Sequence, residues 1–179
     1  MITGERLVLR AIERADLPNY VAWLNDPEVI RHLTLYLPMN GEDEEEWYEG
    51  QRQNPNIQNF AIETQEGVHI GSIGLMGIDH RLQLAELGIV IGHKSYWGQG
   101  YGQEAIHLLL DFAFKTLNLN RVSLRVDEDH PAAIQCYRKC GFVEEGRLRE
   151  VVFREGRFFD HLIMSILRRE YEGGAFTSG

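Results

Sequence analysis

The feature that most constrains this chain is the join between its most apolar strand and its longest helix. Leu87-Gly88-Ile89-Val90-Ile91 has no polar side chain, as expected for a strand that is covered on both faces. The segment Trp97-Gly98-Gln99-Gly100-Tyr101-Gly102 follows, and a helix is predicted from about Gly102 to Leu117. A buried strand that leads through a turn into a long amphipathic helix predicts a sheet with this helix packed against it.

Glycine at every second position makes this turn a candidate anion-binding site. Without side chains, Gly98, Gly100 and Gly102 leave a row of backbone N–H groups uncovered at the start of the helix. These first N–H groups have no partner inside the helix, and together with the helix dipole they form a site for an anion such as a pyrophosphate. A tight turn without any ligand is the alternative interpretation.

Two other nucleotide-binding motifs fit this turn less well. A P-loop needs Lys followed by Ser or Thr after its last glycine, and no such pair follows Gly102. A dinucleotide-binding turn needs glycine where Gln103 stands. Asp127, at the end of the next predicted strand, is suitably placed to hold a ribose, so a nucleotide-dependent oxidoreductase stays open as a less favoured alternative.

The periodicity of the whole chain predicts one mixed α/β domain, an α+β arrangement around a single central sheet. The order is strand, two helices, three strands, helix, strand, helix and two strands. Strands are predicted at residues 7–10, 60–63, 69–76, 85–91, 121–126, 143–153 and 158–166, and helices at 15–25, from 41–42 to the break at 54, at 102–117 and at 131–140. Residues 154–157 are predicted to turn the final hairpin. We expect residues 1–172 to form this domain and residues 173–179 to form a flexible tail.

The composition and charge of the chain limit which partners and which cellular location are expected. The chain has 179 residues, of which 44% are hydrophobic and 25% charged, as in ordinary globular proteins. No stretch reaches the ~20 apolar residues of a membrane span, and the N-terminus has no secretory pattern, so we expect a cytoplasmic protein without a membrane partner. A net charge of −9 argues against nucleic acid as a partner. The acidic run from Glu42 to Glu46 is either a solvated helix start or a funnel for a cationic acceptor.

The two cysteines do not indicate a disulfide or a metal site. Cys136 and Cys140 are four residues apart in one predicted helix, where a bridge would have poor geometry and would close almost no loop. The histidines are scattered, so we find no metal-ligand spacing and expect no metal. Two reduced thiols packed as small hydrophobic groups are the expectation.

A second motif, together with the glycine turn, indicates a resemblance to a known family. The segment from His130 to Phe142 follows the glycine turn by about thirty residues, and the two together resemble the Gcn5-related N-acetyltransferases (GNAT). Trp97 stands where the family usually has Gln or Arg, and His130 replaces an Asn. The chain is most similar to the branch that acetylates ribosomal-protein N-termini and spermidine. The positions that match the two motifs are Gly100, Gly102, Ala133, Tyr137, Lys139, Gly141 and Phe142.

The resemblance implies both a fold and a cosubstrate. The fold is one central mixed sheet, mostly antiparallel, of about seven strands flanked by about four helices. The cosubstrate is acetyl-CoA, and its pantetheine amide is expected to pair with the strand backbone as an added strand would. The implied coenzyme contacts are Ile89, Val90, Ile91, Trp97, Gly98, Gln99, Gly100, Tyr101, Gly102, His130, Ala133, Tyr137 and Lys139.

Two side chains are candidates for the proton transfers of acetyl transfer. The leaving group is a thiolate, and a phenol can donate a hydrogen bond or a proton to it; in the family this is the tyrosine that Tyr137 matches. Glu86, the one acid inside the central strand, is the candidate base for the attacking amine. The alternatives are a core-packing role for Tyr137 and an ion pair for Glu86. We expect direct attack in a ternary complex without an acyl-enzyme.

The acceptor is predicted only as a primary amine, such as a protein N-terminus, a polyamine or another small amine. The stretch from Leu33 to Pro38 is apolar where spermidine enzymes of this branch are acidic, which favours a protein N-terminus or an amphipathic amine slightly. A non-catalytic coenzyme A-binding or regulatory module is the main alternative function. The edge strands of the final hairpin make a homodimer the expected assembly.

Overall fold

The structure is a computed structural model and describes residues 1–173. This part of the chain forms one eight-stranded sheet in the order β1-β2-β3-β4-β5-β6-β8-β7, in which all neighbours are antiparallel except the parallel pair β5–β6. The strands are β1 Ile2–Thr3, β2 Leu7–Arg10, β3 Gln58–Thr64, β4 His69–Asp79, β5 Leu84–Ile91, β6 Arg121–Asp127, β7 Val143–Arg154 and β8 Arg157–Leu167. The helices are α1 Leu17–Leu24, α2 Pro27–Ile30, α3 Gly41–Gln53, α4 Tyr101–Asp111, α5 Pro131–Lys139 and α6 Arg168–Gly173.

The predicted fold class is confirmed, but the numbers of strands and helices and the end of one helix differ from the prediction. Eight strands rather than about seven are present in residues 1–173, because the two residues of β1 pair with β2. The same residues form six α-helices rather than about four, since α2 and α6 are short additions without a long periodic pattern. The predicted helix 102–117 is α4 followed by a π-helical turn at Phe112–Thr116. Gly173 ends α6, and residues 174–179 of the predicted tail lie outside the described residues.

Local sequence signals account for where the helices begin. Asn40 caps α3: its side chain accepts hydrogen bonds from the backbone N–H groups of Glu42 and Asp43, and the Asp43 carboxylate accepts one from the backbone N–H of Asn40. Pro131 stands in the first turn of α5, where a missing N–H costs nothing. The final hairpin turns at Glu155 and Gly156, both with positive φ as a tight hairpin needs.

The two faces of the sheet carry different cores. α4 packs its apolar stripe, including Ile106 and Leu109, onto the larger core, which also holds Ala85 and Leu87 of β5. A smaller core on α1 and α3 contains Tyr20 and covers Ala61 of β3. Side chains alternate along a strand, so Glu86 of β5 points to the face opposite α4. No helix in residues 1–173 has the length and apolar character needed to cross a membrane.

Candidate active site

The candidate site is a fork between β5 and β6. The two strands pair only at Leu84–Arg121, Ala85–Val122 and Glu86–Ser123. Beyond Glu86, β5 continues along β4 to Ile91, while β6 continues along β8 to Asp127. Within the described chain no strand pairing joins β5 to β6 past this point, so the facing backbone edges form a wedge that an extended ligand could enter.

The glycine turn lies at the rim of this fork. Gly98 and Gly100 have φ angles of +70° and +83°, a backbone region that favours glycine. Gly100 is the N-terminal cap of α4, and no side chain of the described residues caps that helix end. A Cβ on Gly102 would lie 4.0 Å from the side chains of Ile89 and Ile91, so the open helix start stands directly beside the unpaired part of β5. This arrangement presents backbone donors and the positive end of the helix dipole to an anion.

The sequence prediction missed the clamp that holds this turn. The Glu104 carboxylate in α4 accepts hydrogen bonds from the backbone N–H groups of Arg6 and Leu7, at 2.8 and 3.2 Å, and from Arg6 Nε at 2.9 Å. Arg6 also donates from Nη1 to the Gln99 carbonyl at 3.0 Å and lies 4.5 Å above the ring of Tyr101. Arg6 and the first residue of β2 thus fix both the turn and the start of α4. Arg6 and Glu104 are 98 residues apart, and no local pattern signals their contact.

Trp97 is engaged within the protein. Its indole Nε1 donates to the Ile91 carbonyl at 2.6 Å, which ties the first residue of the glycine turn to the last residue of β5. Since this carbonyl already has a donor, the predicted pairing of the β5 backbone with a pantetheine rests more on Ile89 and Val90.

Tyr137 combines a packed ring with an unused hydroxyl. The ring lies against the larger core and 5.9 Å from the ring of Phe142, centroid to centroid. No group in residues 1–173 accepts a hydrogen bond from the hydroxyl. Burial raises the pKa of this phenol well above its ordinary value, so it stays protonated at neutral pH. A protonated donor without a protein partner is suited to interact with a ligand.

The two thiols are free, as predicted. Cys140 is buried and Cys136 is partly buried on α5. The hydrogen bond with Cys136, together with burial, raises the pKa of the Cys140 thiol, which therefore stays protonated.

Glu86 stands at the point where the fork opens. Its carboxylate accepts a hydrogen bond from Arg125 Nε at 2.8 Å, and about one third of the side chain is exposed. The ion pair that the sequence left open is thus present, at the last paired position of β5 and β6. Both side chains line a groove of about 240 Å³ on the face away from α4. The remaining residues of the groove wall are Met76, Gly77, Leu84, Ala85 and Ser123.

A buried cluster at the end of β6 ties three elements together. Asp127 accepts hydrogen bonds from His32 Nδ1 at 3.0 Å, Arg154 Nη1 at 2.5 Å and His161 Nε2 at 3.0 Å. Burial alone would raise the pKa of Asp127, but the bonds from His32 and Arg154 outweigh it, so the pKa lies below its ordinary value. With these three donors Asp127 is not free to hold a ribose, which removes the support for the oxidoreductase alternative.

His130, a predicted coenzyme contact, lies in the same cluster. Its ring stacks on that of His32 at 4.0 Å between centroids. Burial, together with the electrostatic effect of the neighbouring His32, lowers the pKa of His130 below its ordinary value, which favours the neutral ring. Ligand atoms of His32, Asp127 and Asp129 lie within 4.8 Å of one another, but Arg154 donates to both carboxylates and supplies positive charge there.

The comparisons with known proteins agree with this geometry. The family model of the acetyltransferase (GNAT) domain matches residues 6–143. A spermidine N(1)-acetyltransferase from Vibrio cholerae is 35% identical over 169 residues, which cover 94% of this chain and 96% of that protein. The spermidine N(1)-acetyltransferase of Escherichia coli K12 is 30% identical and covers all of this chain and 95% of its own length.

A solved structure extends the likeness to three dimensions. The crystal structure of spermidine N-acetyltransferase from Vibrio cholerae in complex with CoA and spermine superposes with a TM-score of 0.89 at 31% identity, and the alignment covers 94% of this chain and 99% of that one. The fork and the glycine turn are therefore parts of a known acetyltransferase fold. The chain belongs to the GNAT acetyltransferase family, and it transfers an acetyl group from acetyl-CoA to an amine.

Proposed function

We propose that the transfer takes place at the mouth of the fork between β5 and β6, by direct attack of a primary amine on acetyl-CoA in a ternary complex. The observation that carries this proposal is the unpaired edge of β5 with the open start of α4 beside it. An extended pantetheine would add to the strand edge, and the pyrophosphate would meet the helix N-terminus.

The proposed coenzyme contacts fall into three groups. The backbone of Ile89, Val90 and Ile91 flanks the wedge. The turn from Trp97 to Gly102, including Gly98, Gln99, Gly100 and Tyr101, receives the phosphates. In the second motif, His130, Ala133, Tyr137 and Lys139 face the coenzyme.

The proposed chemistry uses one acid and one base. The amine nitrogen attacks the thioester carbonyl carbon, and the carbon–sulfur bond breaks. The electron pair leaves on sulfur, and the Tyr137 hydroxyl donates a proton to it. Glu86 accepts the proton that the ammonium must lose before it attacks, and the second proton, which the acylated nitrogen loses, restores the Tyr137 phenol. The Tyr137 phenol is protonated at neutral pH, and none of the described residues accepts a hydrogen bond from its hydroxyl, so this group is available as a donor to the sulfur.

The acceptor class has two candidates. The Vibrio cholerae and Escherichia coli relatives are named as spermidine acetyltransferases, which supports a polyamine. The segment from Leu33 to Pro38 supports a less cationic amine, because Tyr36 is 84% exposed and Leu37 is 63% exposed beside the α2 helix. A protein N-terminus or an amphipathic small amine suits such an apolar wall.

We further propose a cytoplasmic homodimer that uses no metal and has neither nucleic acid nor membrane as a partner. β7 is an outer strand of the sheet and carries exposed apolar side chains, including Val151 and Phe153. An outer strand of this kind favours pairing with a second copy of the chain. Light scattering at several concentrations tests this: twice the chain mass of 20.6 kDa supports it, and the single mass contradicts it.

The test of the reaction separates direct transfer from its alternatives. Calorimetry with acetyl-CoA, CoA and NAD should show binding of the first two only. Mass spectrometry after mixing with acetyl-CoA alone should show unmodified protein, and thiol release should begin only when an amine is added. An acetylated Cys136 or Cys140 that reacts onward with amines would contradict direct transfer. Binding without turnover of any amine would support a regulatory module instead.

A further inference from the structure

Arg125 is placed to contact a substrate as well as Glu86. It lies on β6 two residues beyond the last position paired with β5, and its side chain is about half exposed in the groove at the fork. Only its Nε is used, in the bond to Glu86. Within residues 1–173 neither of its two Nη groups donates to a protein acceptor, so the outer edge of the guanidinium is open to the groove. That edge matches the two oxygens of a carboxylate.

The carboxylates around the fork are already neutralised by arginine. Glu86 has Arg125, and Asp127 and Asp129 share Arg154. On the neighbouring strands, Arg147 of β7 pairs with Glu128 and Asp160, and Arg121 at the start of β6 pairs with Glu145 of β7. A polycation is held by carboxylates that lack basic partners, whereas each of the carboxylates named here has an arginine partner. The fork is therefore better suited to an acceptor that brings its own negative charge.

We propose that Arg125 binds a carboxylate of the acceptor, so that the preferred substrates are amines with a carboxylate a few atoms away, rather than polyamines. Glu86 and the Nη groups of Arg125 are neighbours, so the amine at Glu86 and the carboxylate at Arg125 must also be close within one molecule. A peptide with an acidic first residue has this arrangement. The proposal rests on the placement of the acceptor amine at Glu86 proposed above.

The experiment compares acceptors that differ only in this charge. Peptides with Asp, Asn or Lys as first residue, otherwise identical and amidated at the C-terminus, are tested with acetyl-CoA beside spermidine. A charge-assisted hydrogen bond predicts a kcat/KM for the Asp peptide that is about tenfold to a hundredfold above that of the Asn peptide. Arg125→Gln should abolish this ratio mainly through KM, Arg125→Lys should keep part of it, and spermidine turnover should rise in Arg125→Gln.

A matched control and a separate variant keep the outcomes distinct. Arg121→Gln removes the ion pair with Glu145 from the same strand and should leave the Asp/Asn ratio unchanged. Equal losses on both peptides in Arg125→Gln would mean that Arg125 only orients Glu86, and would overturn the proposal. Better turnover of spermidine than of the Asp peptide by the natural chain, or no turnover of any peptide, would overturn it as well. Full activity of Glu86→Gln on every acceptor would instead refute the proposed base; an Asp/Asn ratio that this variant keeps would still support the carboxylate contact at Arg125, and a ratio that it loses would overturn it.

Discussion

Glu44 carries a large and testable energetic cost. It lies in α3 with 2% of its surface exposed, and within the described residues its Oε2 has no hydrogen-bond partner. Burial raises the pKa of this carboxyl above its ordinary value of 4.5, since the charged form loses its hydration. The dipole of α3 favours a charge near its start by only about 0.3–1 kcal/mol, less than the loss of hydration.

Replacing this group with leucine should stabilise the protein. An unpaired buried polar group costs about 1–3 kcal/mol, and leucine of similar size removes that cost. We therefore expect Glu44→Leu to raise the free energy of unfolding by about 1–3 kcal/mol, with about 2–4 °C in Tm for each kcal/mol in a chain of this length. The neighbouring Glu45, whose side chain is 64% exposed, gives the control: Glu45→Leu should change Tm little.

The pH dependence of this gain identifies its cause. The pKa of Glu44 is raised in the folded state, so the buried side chain is protonated below pH 4.5 and its stabilising contribution is then fully present. As the pH rises through the folded-state pKa, the side chain ionises without a partner and the protein loses this stability. Urea unfolding at pH 5 and pH 7 should therefore show a larger gain for Glu44→Leu at pH 7. Glu44→Gln, which cannot ionise, should remove the pH dependence. A variant that is less stable than the natural chain at pH 7, or one with the same gain at both pH values, would refute this reasoning.

Two further predictions concern the supports of the site. Glu104→Ala removes the acceptor of three hydrogen bonds that fix the glycine turn, so the Kd for acetyl-CoA in calorimetry should rise by about tenfold or more; an unchanged Kd would show that the turn is ordered without it. Arg154→Met takes a charged donor from buried Asp127 and should cost about 3 kcal/mol in urea unfolding. Because the pKa of Asp127 lies below 3.8, its stabilisation is present at neutral pH and is lost as the pH falls through that lower value, so the Arg154→Met deficit should shrink in acid; a deficit independent of pH would contradict this.

The parts of the molecule that could be predicted from sequence are those set by neighbours along the chain. The glycine turn, with Gly98 and Gly100 at positive φ, and the α5 segment follow from local chemistry, and the strand periodicity of β5 follows from its apolar run. The resemblance to GNAT enzymes rested on these local motifs and is confirmed. The short helix α2 was not predicted, because four residues are too few to show a helical periodicity.

The site itself is made by contacts between distant segments. The fork depends on where β6 leaves β5 for β8, which no local pattern encodes. The Arg6–Glu104 clamp joins residues 98 positions apart, and Arg154 reaches Asp127 across 27 positions. For Glu86 the sequence left a base and an ion pair open, and only the register of the strands shows that Arg125 is its partner.

The role of Tyr137 is tested most directly by the turnover number of Tyr137→Phe, measured with the acetyl-CoA affinity of the same preparation. We expect a kcat lower by about 10²–10⁴-fold, because the thiolate loses its proton donor, while the Kd for acetyl-CoA stays within a few-fold of the natural value. Near-normal turnover with normal binding would show that Tyr137 does not protonate the leaving thiolate at the fork.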